Sequence, residues 1–153
     1  MLLNRITISN YFEENKYIFL HFAGLIILLA ILEQLQIIQI AKILQYDAWW
    51  YKSIVENGYV FKENEQCNLA FYPAFPLIWK FLHVSYLGIS IVNLCITILT
   101  LTIINSTFKI GYKKTLIFGS LPSMFFCFMP YSESLFMFLC TVFLSGYYLK
   151  KRG

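Results

Sequence analysis

Residues 46–76 read YDAWWYKSIVENGYVFKENEQCNLAFYPAFP, the only long polar interval in a chain otherwise built of apolar runs. A single carboxylate, Asp47, opens it among Tyr46, Trp49, Trp50 and Tyr51, and it closes on the aromatic and proline run Phe71 to Pro76. The flanking apolar runs have bilayer-crossing length, which soluble cores rarely contain. Composition agrees: 59% of the 153 residues are hydrophobic and only 13% charged, against about a quarter charged in a soluble domain. The expected class is an all-α polytopic membrane protein, with residues 1–153 forming one transmembrane domain. The net charge of +4 does not point to nucleic acid, because the basic residues sit at the ends of apolar runs and form no basic face.

Outward from this interval, four spans are expected, near 17–38, 86–108, 113–129 and 133–149, with an outer loop over 42–83. The first follows a polar lead, Met1 to Lys16, and is succeeded by Glu33-Gln34-Leu35-Gln36 where a cleaved signal would carry small residues, so it reads as a signal-anchor. Gln34, Gln36 and Gln39 alternate with Leu35, Ile37, Ile38 and Ile40, predicting that this helix continues as an amphipathic stalk. The third span is interrupted by Gly119, Ser120, Pro122 and Ser123 and is expected to be short and kinked.

Within the loop, Trp50, Tyr51, Ile54 and Val55 recur at helical spacing and Asn57-Gly58 supplies a stop, predicting a short interfacial helix that begins near Asp47. Pro73 and Pro76 suit the first turn of a second helix. That helix, Pro73 to His83, covers only ~16 Å against a ~30 Å hydrocarbon core, so it is expected to be interfacial or re-entrant.

Four crossings with a cytoplasmic N-terminus place Arg5, Lys16, Lys109, Lys113, Lys114, Lys150, Lys151 and Arg152 inside, eight of the twelve basic residues, as the positive-inside rule prefers. The expected location is a bacterial inner membrane or the endoplasmic reticulum membrane. The Asp47 loop and the turn Pro130-Tyr131-Ser132-Glu133-Ser134 then share the outer face. The sequon Asn105-Ser106-Thr107 falls at the cytoplasmic end and is expected to stay unmodified.

Each candidate residue also has a bland reading. Asp47 can serve as a helix cap. Glu133 can be a first-turn acid behind a Ser132 cap, although an acid at the mouth of a span commonly has a partner or a task. Asn93, alone among aliphatics, reads as a helix-to-helix hydrogen bonder, and His21 as an interfacial side chain. Cys67, Cys95, Cys127 and Cys140 show no metal-ligand spacing, so neither metal nor cofactor is expected.

Tyr46-Asp47-Ala48-Trp49-Trp50-Tyr51 with Gly58-Tyr59, then Asn68 to Pro76, Asn93, and Pro130 to Phe136 resemble the ordered motifs of the PIG-V family, multispanning mannosyltransferases of the GT-C class. The resemblance implies a GT-C-like fold, here its N-terminal portion, because family members carry further spans. It implies transfer of a sugar from a polyprenyl- or dolichyl-phosphate donor to a lipid-linked acceptor on the extracytoplasmic or lumenal face. In eukaryotes that acceptor is the growing glycosylphosphatidylinositol anchor. Asp47 matches the family's outer-loop acid and is expected to act as general base. Glu133, Lys52, Tyr72, Tyr131 and Lys80 are the expected substrate-binding residues. Tyr46 and Trp50 stand where family members carry Trp and, often, His. The alternative is a non-catalytic membrane subunit that retains the first half of the fold and pairs with a membrane partner. A small transporter would need more intramembrane charge than the chain holds.

Overall fold

The computed structural model describes residues 8–39, 42, 45–63 and 65–152. Among these the secondary structure is wholly helical: α1 Ile8–Gln34, α2 Asp47–Asn57, α3 Ala74–Leu82, α4 Tyr86–Phe108, α5 Tyr112–Gly119 and α6 Glu133–Arg152, with short 3-10 turns at Asn68–Ala70 and Pro122–Cys127. Two helices are long and apolar enough to cross a membrane, α1 over Asn10–Gln34 and α4 over Tyr86–Phe108. The second coincides with the expected span and begins at an expected kind of cap: the Ser85 hydroxyl accepts from the Gly88 N–H at 3.1 Å.

The expected stalk beyond α1 is not helical. The helix closes at Gln34, with Gln36 at φ +58°. Ile37 N–H donates to the Leu32 carbonyl at 2.9 Å and Gln36 N–H to that of Glu33 at 2.9 Å. That pair of bonds is a Schellman closure, which satisfies the last carbonyls and outweighs the alternation of Gln and aliphatic residues. Residues 40 and 41 lie outside the described region.

The expected span at 113–129 is two pieces. α5 has eight residues, ~12 Å at helical rise. A break at Ser120 and Leu121 then leads into the turn Pro122–Cys127. This broken segment lies alongside α4 and α1. It starts where Tyr112 stacks on Tyr17, with ring centroids 4.6 Å apart. At Gly119 a Cβ would stand 3.0 Å from Leu101 and 3.6 Å from Phe22. Further on, Thr97 Oγ1 donates to the Cys127 carbonyl at 3.2 Å. The segment ends where Asn93 Nδ2 donates to the carbonyls of Met129, at 2.5 Å, and Tyr131, at 2.9 Å. The segment thus follows α4 from its last turn back to Asn93, ~22 Å of helix axis. α6 then returns along α4, and Phe108 meets Tyr148 at 5.0 Å.

Consequently the bundle has two unlike ends. At one, Lys109 pairs with Glu14 at 2.8 Å, with Lys16, Lys113 and Lys114 close by in the chain and the end of α6, which carries Lys150 and Lys151, reached through the Phe108–Tyr148 contact. At the other lie the first turns of α2 and α6.

Burial is inverted relative to a water-soluble bundle. Asn15, Asn93, Thr97, Thr100, Asn105 and Ser134 are wholly or almost wholly buried, whereas Leu20, Ile27, Ile91, Ile117, Phe136 and Phe143 are exposed. Some of the buried polar groups pair between α1 and α4. Tyr11 donates to Thr102 at 2.6 Å, Asn15 to Ser106 at 2.9 Å, and Asn105 to Asn15 at 2.9 Å. Asn105 of the sequon therefore sits inside the α1–α4 contact. His21 shares a hydrogen bond of 3.1 Å with Ser120, a structural role.

Candidate functional site

The α2 helix begins where the spacing of its apolar residues predicts and stops at Gly58, whose φ of +77° carries the chain out of the helix. Its inner face is Ala48, Tyr51 and Ile54. Tyr51 packs edge-on against Phe71 and Phe75, each with centroids 5.0 Å away. Phe75 and Trp79 are the inner face of α3, which at nine residues spans ~13 Å and is too short to cross a bilayer. Trp79 Nε1 donates to the Val84 carbonyl at 2.9 Å, tying α3 to the start of α4. The site therefore rests on an aromatic platform beneath α2.

Asp47 is the first residue of α2 and is exposed; the cap position belongs to Tyr46, with φ +48°, which makes no side-chain cap bond. Asp47 thus sits next to the cap position, at the favourable end of the helix dipole, without capping the helix, and among the described residues its carboxylate carries no hydrogen bond that would occupy it. Glu133 holds the equivalent position in α6, an acid in the first turn. The two carboxylates are within electrostatic reach of each other.

What holds them together is a reciprocal pair of tyrosines. Tyr51, one turn beyond Asp47, donates its hydroxyl to Ser132 Oγ at 2.9 Å. Tyr131, two residues before Glu133, donates to the carbonyl of Gln45, two residues before Asp47, at 2.9 Å. Each acid-bearing segment thus grips the backbone or the hydroxyl next to the other acid. Asn93 completes the arrangement from α4 by holding the carbonyls of Met129 and Tyr131. Its expected role as a hydrogen bonder is met, with the partner a turn rather than a helix.

The electrostatics favour this clasp. Burial pushes the Tyr51 phenol above its ordinary value; the Ser132 hydrogen bond opposes this and the fields of Glu133 and Asp47 add to it. Burial, then Asp47 and Glu133, push the Tyr131 phenol up as well. Both phenols remain protonated and able to donate, since loss of either proton would put an anion beside two acids.

The remaining expected residues are less central. Tyr131 is buried, and its hydroxyl is committed to Gln45, so it positions the turn. Lys52 lies 3.6 Å from Glu56 and 5.5 Å from the Trp49 ring, on the flank of α2. Tyr72 is exposed in the loop before α3, and Lys80 is exposed near the end of α3. Among the described residues no hydrogen bond or ion pair joins Lys52, Tyr72 or Lys80 to Asp47 or Glu133. Sequence reasoning took Tyr51 only as an apolar position; its place at i+4 from Asp47 was the available signal. It also passed over the pin made by Asn68, which donates to the Gly58 carbonyl at 3.0 Å and accepts from Val60 N–H at 2.8 Å. That pin brings the Gly58-Tyr59 and Asn68-to-Pro76 stretches side by side, reinforced by Tyr59 donating to the Phe71 carbonyl at 2.8 Å. No group of His, Cys, Asp and Glu among the described residues could hold a metal ion.

Among the described residues, fold and site together define a helical protein with two helices long and apolar enough to cross a membrane and two first-turn acids, Asp47 and Glu133, at one end of the bundle. Comparison with protein-family models, curated proteins and solved structures finds no match to this chain.

Proposed function

We propose that the chain is a membrane glycosyltransferase of the GT-C kind, similar to PIG-V-type mannosyltransferases. It moves a sugar from a polyprenyl- or dolichyl-phosphate donor to a lipid-linked acceptor on the extracytoplasmic or lumenal face. In a eukaryote that acceptor is the glycosylphosphatidylinositol precursor.

The observation that carries the reading is the convergence of Asp47 and Glu133. They lie 86 residues apart in sequence, and the reciprocal bonds of Tyr51 and Tyr131 bring their helix starts together. Two acids held at neighbouring helix N-termini, at the end opposite the basic cluster, suit a reaction needing one proton acceptor and one group to orient a polyol. In this reading Asp47 takes the proton of the acceptor hydroxyl as that oxygen bonds to the sugar's anomeric carbon. The bond from that carbon to the phosphate oxygen breaks, and the lipid phosphate leaves with the electron pair. Glu133 orients sugar hydroxyls by accepting their hydrogen bonds.

Four traverses of an integral membrane domain accompany this reading. Support comes from the broken segment 112–131 running along α4 from its last turn to Asn93, and from the many exposed aliphatic side chains, which suit an apolar surrounding where small polar residues join helices. The Lys109–Glu14 pair joins the start of α1 to the end of α4, which suits a topology that keeps these basic ends together on the cytoplasmic side. Asp47→Asn keeps the shape and removes the base. In the complete polypeptide it should abolish sugar transfer from a polyprenyl-phosphate donor in membranes, and retained transfer would sink the assignment.

A further inference from the structure

One face of α2 and the loop that follows border a half-open surface cleft of about 290 Å³, lined by Trp50, Ser53, Asn57, Lys62, Gln66 and Cys67, with Val60 and Asn68 completing it. We propose that this cleft is a carbohydrate-binding subsite for one neutral hexose ring.

The lining has the chemistry that a sugar requires. The Trp50 indole is an apolar wall, set in place by stacking on Phe71 at 6.1 Å, and can take the C–H face of a pyranose. Around it stand Ser53, Asn57 and Gln66. Among the described residues none of the three spends its side chain on a protein partner, so two amides and a hydroxyl converge with donors and acceptors to spare. The cleft is held open from below: both ends of the Asn68 amide are committed to Gly58 and Val60. Lys62, its one cation, is paired with Glu65 at 2.9 Å, so the site offers no uncompensated positive charge and suits an uncharged sugar over a phosphate. A volume near the small end of ligand sites, ~300 Å³, fits one ring.

Position connects the cleft to the acids. Trp50, Ser53 and Asn57 share one side of α2, and Trp50 lies one turn, ~4.5 Å of rise, beyond Asp47. A saccharide lying along α2 would present its next residue to Asp47. Assignment of the cleft to the acceptor glycan rests on the glycosyl-transfer reading; hexose binding itself does not.

Cys67 makes the test direct. In sealed vesicles holding the full chain, with the other three cysteines replaced by Ala, the rate of Cys67 alkylation by a membrane-impermeant maleimide is measured. Methyl α-D-mannopyranoside and methyl α-D-glucopyranoside are the probes and sorbitol the osmotic control. At least one pyranoside at about 10 mM, the range of weak single-sugar affinities, should slow alkylation threefold or more, with no effect of sorbitol. Asn57→Ala and Gln66→Ala, exposed changes that leave the aromatic platform intact, should each abolish the protection. Asp47→Asn should keep the protection while losing transfer, which separates failure of the cleft from failure of the transfer reading. Equal rates with and without both pyranosides, or protection unchanged in Asn57→Ala and Gln66→Ala, would overturn the proposal.

Discussion

Replacing Asn93 with Leu tests whether a single buried amide in α4 sets the position of Glu133. Asn93 is fully buried, and its amide donates to the carbonyls of Met129 and Tyr131. Leucine keeps the branched four-atom skeleton and leaves no cavity, so the loss is two hydrogen bonds together with mild overpacking from its bulkier methyls. At 0.5–1.5 kcal/mol each these amount to about 1–3 kcal/mol; between membrane helices the average is nearer ~0.6 kcal/mol each. Asn93 Oδ1 is buried without a partner among the described residues, and its removal returns part of that cost. The net expectation is a loss of about 1–2 kcal/mol, a factor of roughly 5–30 in the folding equilibrium. The assay is reversible unfolding in mixed micelles, combined with hydrogen exchange at the amides of residues 131 to 134. Exchange there should accelerate together with the loss of stability, because the turn before α6 loses its anchor. Stability within about 0.5 kcal/mol of the parent with unchanged exchange over the turn would refute the argument.

Other consequences follow from the same contacts. Tyr51→Phe keeps the ring contacts with Phe71 and Phe75 and should cost about 1 kcal/mol, and Tyr131→Phe a similar amount. A double-mutant cycle should show coupling of at least about 0.5 kcal/mol, since both bonds close one clasp. Both phenols are pushed up in the folded protein, so the folded state holds these protons more tightly than the unfolded chain. Their contribution is complete below about pH 10 and is lost as pH rises through the folded values. Alkaline unfolding curves should therefore be shallower for Tyr51→Phe than for the parent. Gly119→Val should destabilise by about 1–3 kcal/mol through overpacking, because even a Cβ would stand 3.0 Å from Leu101; thermal unfolding reads this out. Asn105 should carry no glycan in a eukaryotic host, because its side chain is buried and bonded to Asn15; a mass shift removed by glycosidase would contradict the packing.

Much of the helical layout was legible before any coordinates. The 86–108 run, the α2 helix with its Gly58 stop, and the shortness of the helix after Pro73 all follow from local rules of spacing, stop signals and length. Those rules act over one or two turns, where the neighbours are known from the sequence. They failed at Gln34, where a terminal closure, worth two backbone bonds, overrode a plausible amphipathic pattern. At 113–129 the breakers were visible, but that the interrupted segment would still track α4 as far as Asn93 was not.

The paired acids divide in the same way. The residues 46–51 and 130–134 stand out as polar islands beside apolar runs, and the structure joins them at one end of the bundle. Which side chains hold them is a different matter. Tyr51 to Ser132, Tyr131 to Gln45 and Asn93 to the turn are contacts between residues 36 to 86 positions apart, and no local pattern encodes a partner at that distance. The sequence by itself determined α2 and its stop, the 86–108 helix, the shortness of the helix after Pro73 and the polar interval between the apolar runs, because backbone hydrogen bonding and hydrophobic period are short-range. Only the tertiary structure decided that Tyr51 is a strut, that Tyr131 spends its hydroxyl on Gln45 while Lys52 turns to Glu56, and that Trp50 walls a cleft, because each role is set by whichever group packing brings within 3–6 Å.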